Sequence, residues 1–160
     1  MIVRVNRLVS ILFLIGIATL SQLVLVAPVQ ALTQSFQWTG LTGFSAQGTL
    51  SYDDNLASEI ITEKGIGRTK QLQSATISFY SPTNELLAQY QDVIDGESQK
   101  EYFELNFDTA KHKFVGNLDL GGETPGEIFL KGTIGNQLSL VKIKATGEEY
   151  IIDCDRAFSQ

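Results

Sequence analysis

"YFELNFDTAKHKFVGNLDLGG", residues 102–122, decides how this chain folds. Phe103, Leu105 and Phe107 occupy every second position, and Phe114, Gly116, Leu118 and Leu120 resume that spacing after the polar stretch 109–112. Side chains of an extended strand alternate between two faces. The large apolar groups therefore share one face, and Glu104, Asn106 and Asp108 share the other. Two such runs separated by a short polar loop predict an antiparallel hairpin. His112, the chain's single histidine, falls in that loop between Lys111 and Lys113.

The pattern extends in both directions. In residues 44–53, Phe44, Ala46, Gly48, Leu50 and Tyr52 alternate with Ser45, Gln47, Thr49, Ser51 and Asp53. Strands are expected likewise over 74–80, with Ala75, Ile77 and Phe79 on one side, and over 127–134, with Ile128, Leu130, Gly132 and Ile134 together. Others follow over 138–144, after the turn pair Gly135-Asn136, and over 149–153. Pro82 and Pro125 fall between strands, where a missing N–H is harmless. Residues 84–94 carry two signals. Leu86, Leu87, Tyr90, Val93 and Ile94 recur at helical spacing, whereas Ser81-Pro82-Thr83-Asn84 reads as a type I hairpin turn sending Leu86, Ala88 and Tyr90 back along the preceding strand. The β surroundings favour the strand. About eight short strands predict one all-β antiparallel domain, a sandwich or a barrel.

The N-terminus reads as an export signal. Arg4 and Arg7 precede a nearly unbroken apolar run, 8–26, and Val29-Gln30-Ala31 offers small residues at signal-peptidase spacing. Cleavage there makes residues 1–31 a signal peptide and 32–160 the domain, secreted or periplasmic and with no stable membrane insertion. The competing expectation is that 8–26 remains as an anchor, since the run is long enough to cross a bilayer. The cleaved chain keeps all 18 acidic residues and loses two of 12 basic ones, for a net charge of −8. That balance argues against nucleic-acid partners and anionic membrane surfaces. The lone Cys154 precludes an intramolecular disulfide, so the fold rests on its core.

"FSAQGTLSYDD" (44–54), "ISFYSPTNELL" (77–87) and "EYFELNFDTAKHKFVGNLDLGG" (101–122) resemble a set of exported cyanobacterial β-rich proteins, many of which end in a PEP-CTERM sorting tail. The likeness runs over nearly all of 32–160 and lies in strand alternations and turns. It implies location and fold, and carries no catalytic or ligand residue. The chain departs from the set at "DRAFSQ", residues 155–160, which lacks Pro-Glu-Pro, an apolar segment and a basic cluster. Surface anchoring through such a tail is therefore not implied.

Few residues suggest chemistry. A zinc site needs several His or Cys ligands, and a Cys154–His112 pair has nothing in the sequence to bring it together. Asp153 and Asp155 flank Cys154, and such neighbours disfavour a thiolate. "GIGRTK", residues 65–70, has glycines and basic residues but not the spacing of a phosphate loop, and reads as a flexible basic loop. Two carboxylate groups are calcium candidates: Asp53 and Asp54 beside Asn55, and Asp92 with Asp95 and Glu97 around Gly96. Neither follows the spacing of a known calcium loop, and Asp is common in turns for its own reasons. Glu104, Asp108, Asp119 and Glu127 read as solvated acids on polar faces. No catalytic residue and no cofactor is expected. The leading expectation is a non-enzymatic binding or structural module, its partner a cell-envelope component or a small ligand. The alternative is a barrel carrying a small apolar ligand among inward aromatics: Trp38, Phe44, Tyr52, Phe79, Phe103, Phe107, Phe114 and Phe129. A secreted hydrolase comes third.

Overall fold

The computed structural model describes residues 31–54 and 59–155. Residues 1–30 of the expected signal peptide, and Asn55 of the first carboxylate group, lie outside the described residues. Among the described residues thirteen strands follow one another: β1 (Ala31–Thr39), β2 (Ser45–Asp53), β3 (Ile60–Lys64), β4 (Gly67–Arg68), β5 (Leu72–Tyr80), β6 (Leu86–Ile94), β7 (Glu97–Ser98), β8 (Glu104–Asp108), β9 (Lys113–Phe114), β10 (Asn117–Gly121), β11 (Ile128–Thr133), β12 (Gln137–Ile143) and β13 (Glu149–Cys154). No helix occurs among the described residues.

The strands make two antiparallel sheets. Sheet A runs β1-β2-β5-β6-β7-β4; sheet B runs β13-β12-β11-β10-β8-β3, with β9 beside β8. The two sheets pack face to face as a sandwich rather than closing into a barrel. Leu50, Tyr52, Ile77 and Phe79 of sheet A meet Leu105, Phe107, Leu118, Leu120, Leu130 and Leu140 of sheet B in one buried cluster. Each such side chain contributes about 1.5–3 kcal/mol by leaving water. Ring contacts knit the cluster, with Phe107 lying 5.9 Å from Tyr52 and 5.6 Å from Phe114 between centroids.

The count exceeds the expected eight for local reasons. β1 is an edge strand buried fully only at Trp38, so its alternation is weak. In β3 the inward position after Ile61 is Glu63, whose buried carboxylate accepts the backbone N–H groups of Lys70 and Gln71, each at 2.8 Å. A polar inward residue hides a strand from any apolar pattern. The stretch 65–70, expected as a flexible loop, instead contains β4, paired to β7, and its backbone is held by Glu63.

Residues 86–94 form β6, hairpinned to β5. Asn84, at φ 62°, closes the turn, with its N–H bonded to the Ser81 carbonyl. The helical spacing in this segment has a different origin. Register shifts leave Leu87 and Asp92 as extra residues opposite β5, and each bulge breaks the period-two phase. After β6, Asp95 and Gly96 both have positive φ, as a two-residue type I′ hairpin requires. The ends of the two sheets are tied by Asp153, whose carboxylate accepts the N–H groups of Thr42 and Phe44 in the β1–β2 turn. Burial opposes its ionisation, but the donors at Thr42, Cys154 and Phe44 hold it below the usual carboxylate range. A side chain at Gly40 would collide with that carboxylate, which explains the glycine there.

The inward aromatics are partly redistributed. Trp38, Tyr52, Phe79, Phe103 and Phe107 are buried as expected, whereas Phe44 and Phe114 are half-buried at the rim of the core. Phe129 faces outward. Its neighbours Ile128 and Leu130 take the inner positions of β11, so Phe129 packs on the outer face of sheet B with Val141 and Ile143.

Candidate binding faces

The space between the sheets is occupied by side chains of the buried cluster, and clefts open on the outer face of each sheet. On sheet A the register aligns two rows across four strands. One row is Ser35, Thr49, Thr76 and Gln91; the next is Gln37, Gln47, Ser78 and Gln89. Ala46, Leu50, Ile77 and Phe79, which alternate with the row residues along β2 and β5, are buried, which turns both rows outward. Thr33, Ser51 and Ser74 extend the array on one side, and Thr39, Ser45 and Tyr80 on the other. None of these residues carries a charge. Some hydroxyls are already paired across strands, Thr49 with Thr76 at 2.9 Å and Ser51 with Ser74 at 2.6 Å. A depression of about 540 Å³ lies in the middle, floored by Gly48 and bordered by Gln37, Gln47, Thr76, Ser78 and Tyr80.

The outer face of sheet B has the opposite character. Asp119 lies directly opposite Glu104 on β8 and Lys131 on β11. Glu104 is bonded to Lys64 at 3.0 Å, and Lys131 to Glu149. Burial pushes the Asp119 carboxyl up to about 7; Lys131 opposes this, and Glu123, Glu149 and Glu104 add to it. Clefts of about 470 and 250 Å³ flank Asp119, the second bordered by Tyr102, Glu123 and Phe129. The arrangement is an ion-pair network on an open sheet, with each of Glu104 and Glu149 already matched to a lysine.

Several acids expected on solvated faces are structural instead. Asp108 is buried and accepts both the backbone N–H and the Nζ of Lys111, at 2.8 and 2.6 Å, bonds that lower its pKa. Glu127 closes the β10–β11 loop by accepting the N–H groups of Glu123 and Thr124, each at 2.8 Å. Burial works against the charge on Glu127, yet those donors leave it below its ordinary value. Asp119, as above, is neither fully solvated nor unperturbed.

The five calcium candidates do not converge. Asp53 is buried at the end of β2 while Asp54 is exposed; Asp95 and Glu97 are exposed at the β6–β7 turn. Asp92, at the bulge, points into the sandwich with no exposure. Its Oδ2 accepts the Gly121 N–H at 2.9 Å, and its Oδ1 has no hydrogen-bond partner among the described residues. No group of three or more His, Cys, Asp or Glu among the described residues is placed to hold a metal ion. His112 is exposed in the β8–β9 turn at φ 50°, and Cys154 is buried at the end of β13, so β10, β11 and β12 separate them in sheet B.

Three of the four strands that build the neutral face, β2, β5 and β6, were legible in the sequence; β1 and the face itself were not. The alternating Ser, Thr and Gln of 45–51 and 74–78 were the available signal, and only the register showed that they continue across β1 and β6. Comparison with known protein families, characterised proteins and solved structures gives no match to this chain.

Proposed function

We propose that the chain is an exported, non-enzymatic binding or structural module of the periplasm or cell surface, engaging its partner through an outer sheet face. The observation that supports this reading best is the combination of a side-chain-filled interior with broad polar depressions on the outside. The leader-like N-terminus and the net charge after cleavage agree with export and with a soluble domain. Co-sedimentation of the purified protein with envelope fragments of its source cells tests the reading, combined with an assay for newly released reducing ends. Retention without release is the expected outcome. Protein left in the supernatant speaks against a binding module, and release of reducing ends abolished by Asp119→Asn replaces it with the hydrolase.

One observation favours a second reading, a carrier of a small apolar ligand. A cleft of about 410 Å³ opens at the edge of the sandwich between Phe44, Ala88, Tyr90 and Ile152, with exposed Leu87 and Tyr150 at its rim. Saturable binding of a fluorescent fatty acid, weakened by Ala88→Trp, would promote that reading over the first.

A further inference from the structure

We infer that the outer face of β1, β2, β5 and β6 is a docking surface for an uncharged, polyhydroxylated polymer, a neutral polysaccharide. This rests on the binding-module reading and assigns that module its face and ligand class. The two central rows run across four strands, with about 4.8 Å between strands and about 7 Å between rows. Hydroxyl and carboxamide groups both donate and accept hydrogen bonds, so such an array can satisfy a ligand's hydroxyls in either sense.

Charge decides the class of partner. A chain of net charge −8 after cleavage places no acidic or basic residue at these outward positions, whereas the other sheet's outer face holds Glu104, Asp119, Lys131 and Glu149. An anionic polymer would find no cation in these rows of β1, β2, β5 and β6, and a repulsive molecule behind them. A cationic one would find no carboxylate. An apolar ligand would displace water from many hydroxyls and amides without replacing their bonds, a loss for each group. A neutral polyol replaces those waters like for like. Tyr80, half-exposed at the border of the depression, adds an aromatic surface with a polar tip.

Affinity electrophoresis tests this directly. The protein is run through native gels containing dextran, a soluble β-1,3-glucan or hydroxyethylcellulose, and through gels containing alginate as the anionic counterpart. Retardation is expected in at least one neutral gel and not in alginate. Gln37→Ala combined with Gln47→Ala should weaken it about tenfold, the equivalent of one or two hydrogen bonds. Glu149→Gln on sheet B should leave it unchanged. Both altered glutamines are exposed, so circular dichroism and urea midpoints should match the parent's.

No retardation in any neutral gel, or retardation abolished by Glu149→Gln but not by the glutamine pair, overturns the inference. So does a dimer in solution that the glutamine pair dissociates, since the face would then belong to a second copy of the chain. Failure here while envelope co-sedimentation persists removes the polysaccharide and leaves the binding module. Failure of both removes the module as well.

Discussion

Replacing Asp92 by Asn should change how stability depends on pH. In the folded chain burial pushes this carboxyl up to about 7, reinforced by Glu123 and Asp119 and opposed by Lys100 and the Gly121 N–H. Exposed in the unfolded chain, it titrates near its ordinary value of 3.8. Between those values the folded state holds a proton that the unfolded state lacks. Its contribution is therefore greatest below about pH 4, is lost as pH rises to about 7, and is flat above that. A gap of about three pH units, at about 1.4 kcal/mol each, sets a ceiling of about 4 kcal/mol. Asn keeps an acceptor for Gly121 and has no charge to bury. Asp92→Asn should therefore be more stable than the parent at about pH 8, lose that advantage progressively as pH falls below about 7, and match the parent near pH 4. Urea titrations of both proteins across this range read the difference. Asp119 titrates in the same window but is present in both proteins, and its interaction with Asp92 is smaller than the effect of burial, so most of its contribution cancels. Parallel stability–pH curves would refute the reasoning and mean that the Asp92 carboxylate is solvated or paired in the folded state.

Phe107→Ala should cost about 3–5 kcal/mol in urea unfolding, because its ring is buried between Tyr52 and Phe114. Asn106→Gln, one residue away on the outer face, puts at stake only the bonds to Thr62 and the Asn117 carbonyl, about 1 kcal/mol. Asp153→Asn should cost about 1–3 kcal/mol at neutral pH. The carboxyl's lowered pKa places the opposite sign here: the parent loses this contribution as pH falls below about 4, so the two proteins should converge in acid. Gly40→Ala should be destabilising through the same contact, and Gly40→Ala with Asp153→Ala less so than the two changes summed, as a double-mutant cycle would show. N-terminal sequencing of the exported protein should begin near Leu32; an intact Met1 in a membrane pellet would instead make residues 8–26 an anchor.

The sequence by itself determined the class of fold. Period-two alternation is a property of one strand and its solvent, so Phe103, Leu105 and Phe107, or Ala75, Ile77 and Phe79, declare their inner face without knowledge of any partner. The turns were legible for the same reason, since Ser81-Pro82-Thr83-Asn84 and the His112 loop act over a few residues. What the sequence could not decide was whatever depends on pairing between distant strands. Sandwich or barrel is settled by whether edge strands meet, and these sheets end at β1 and β4, and at β13 and β3. The bulges at Leu87 and Asp92 exist only relative to β5. One of them carries the Asp92 carboxylate into the core, where it accepts a hydrogen bond from the Gly121 N–H on the opposite sheet. The neutral face arises in the same way. Each strand supplied a few ordinary Ser, Thr and Gln residues, and long-range register alone set them in rows.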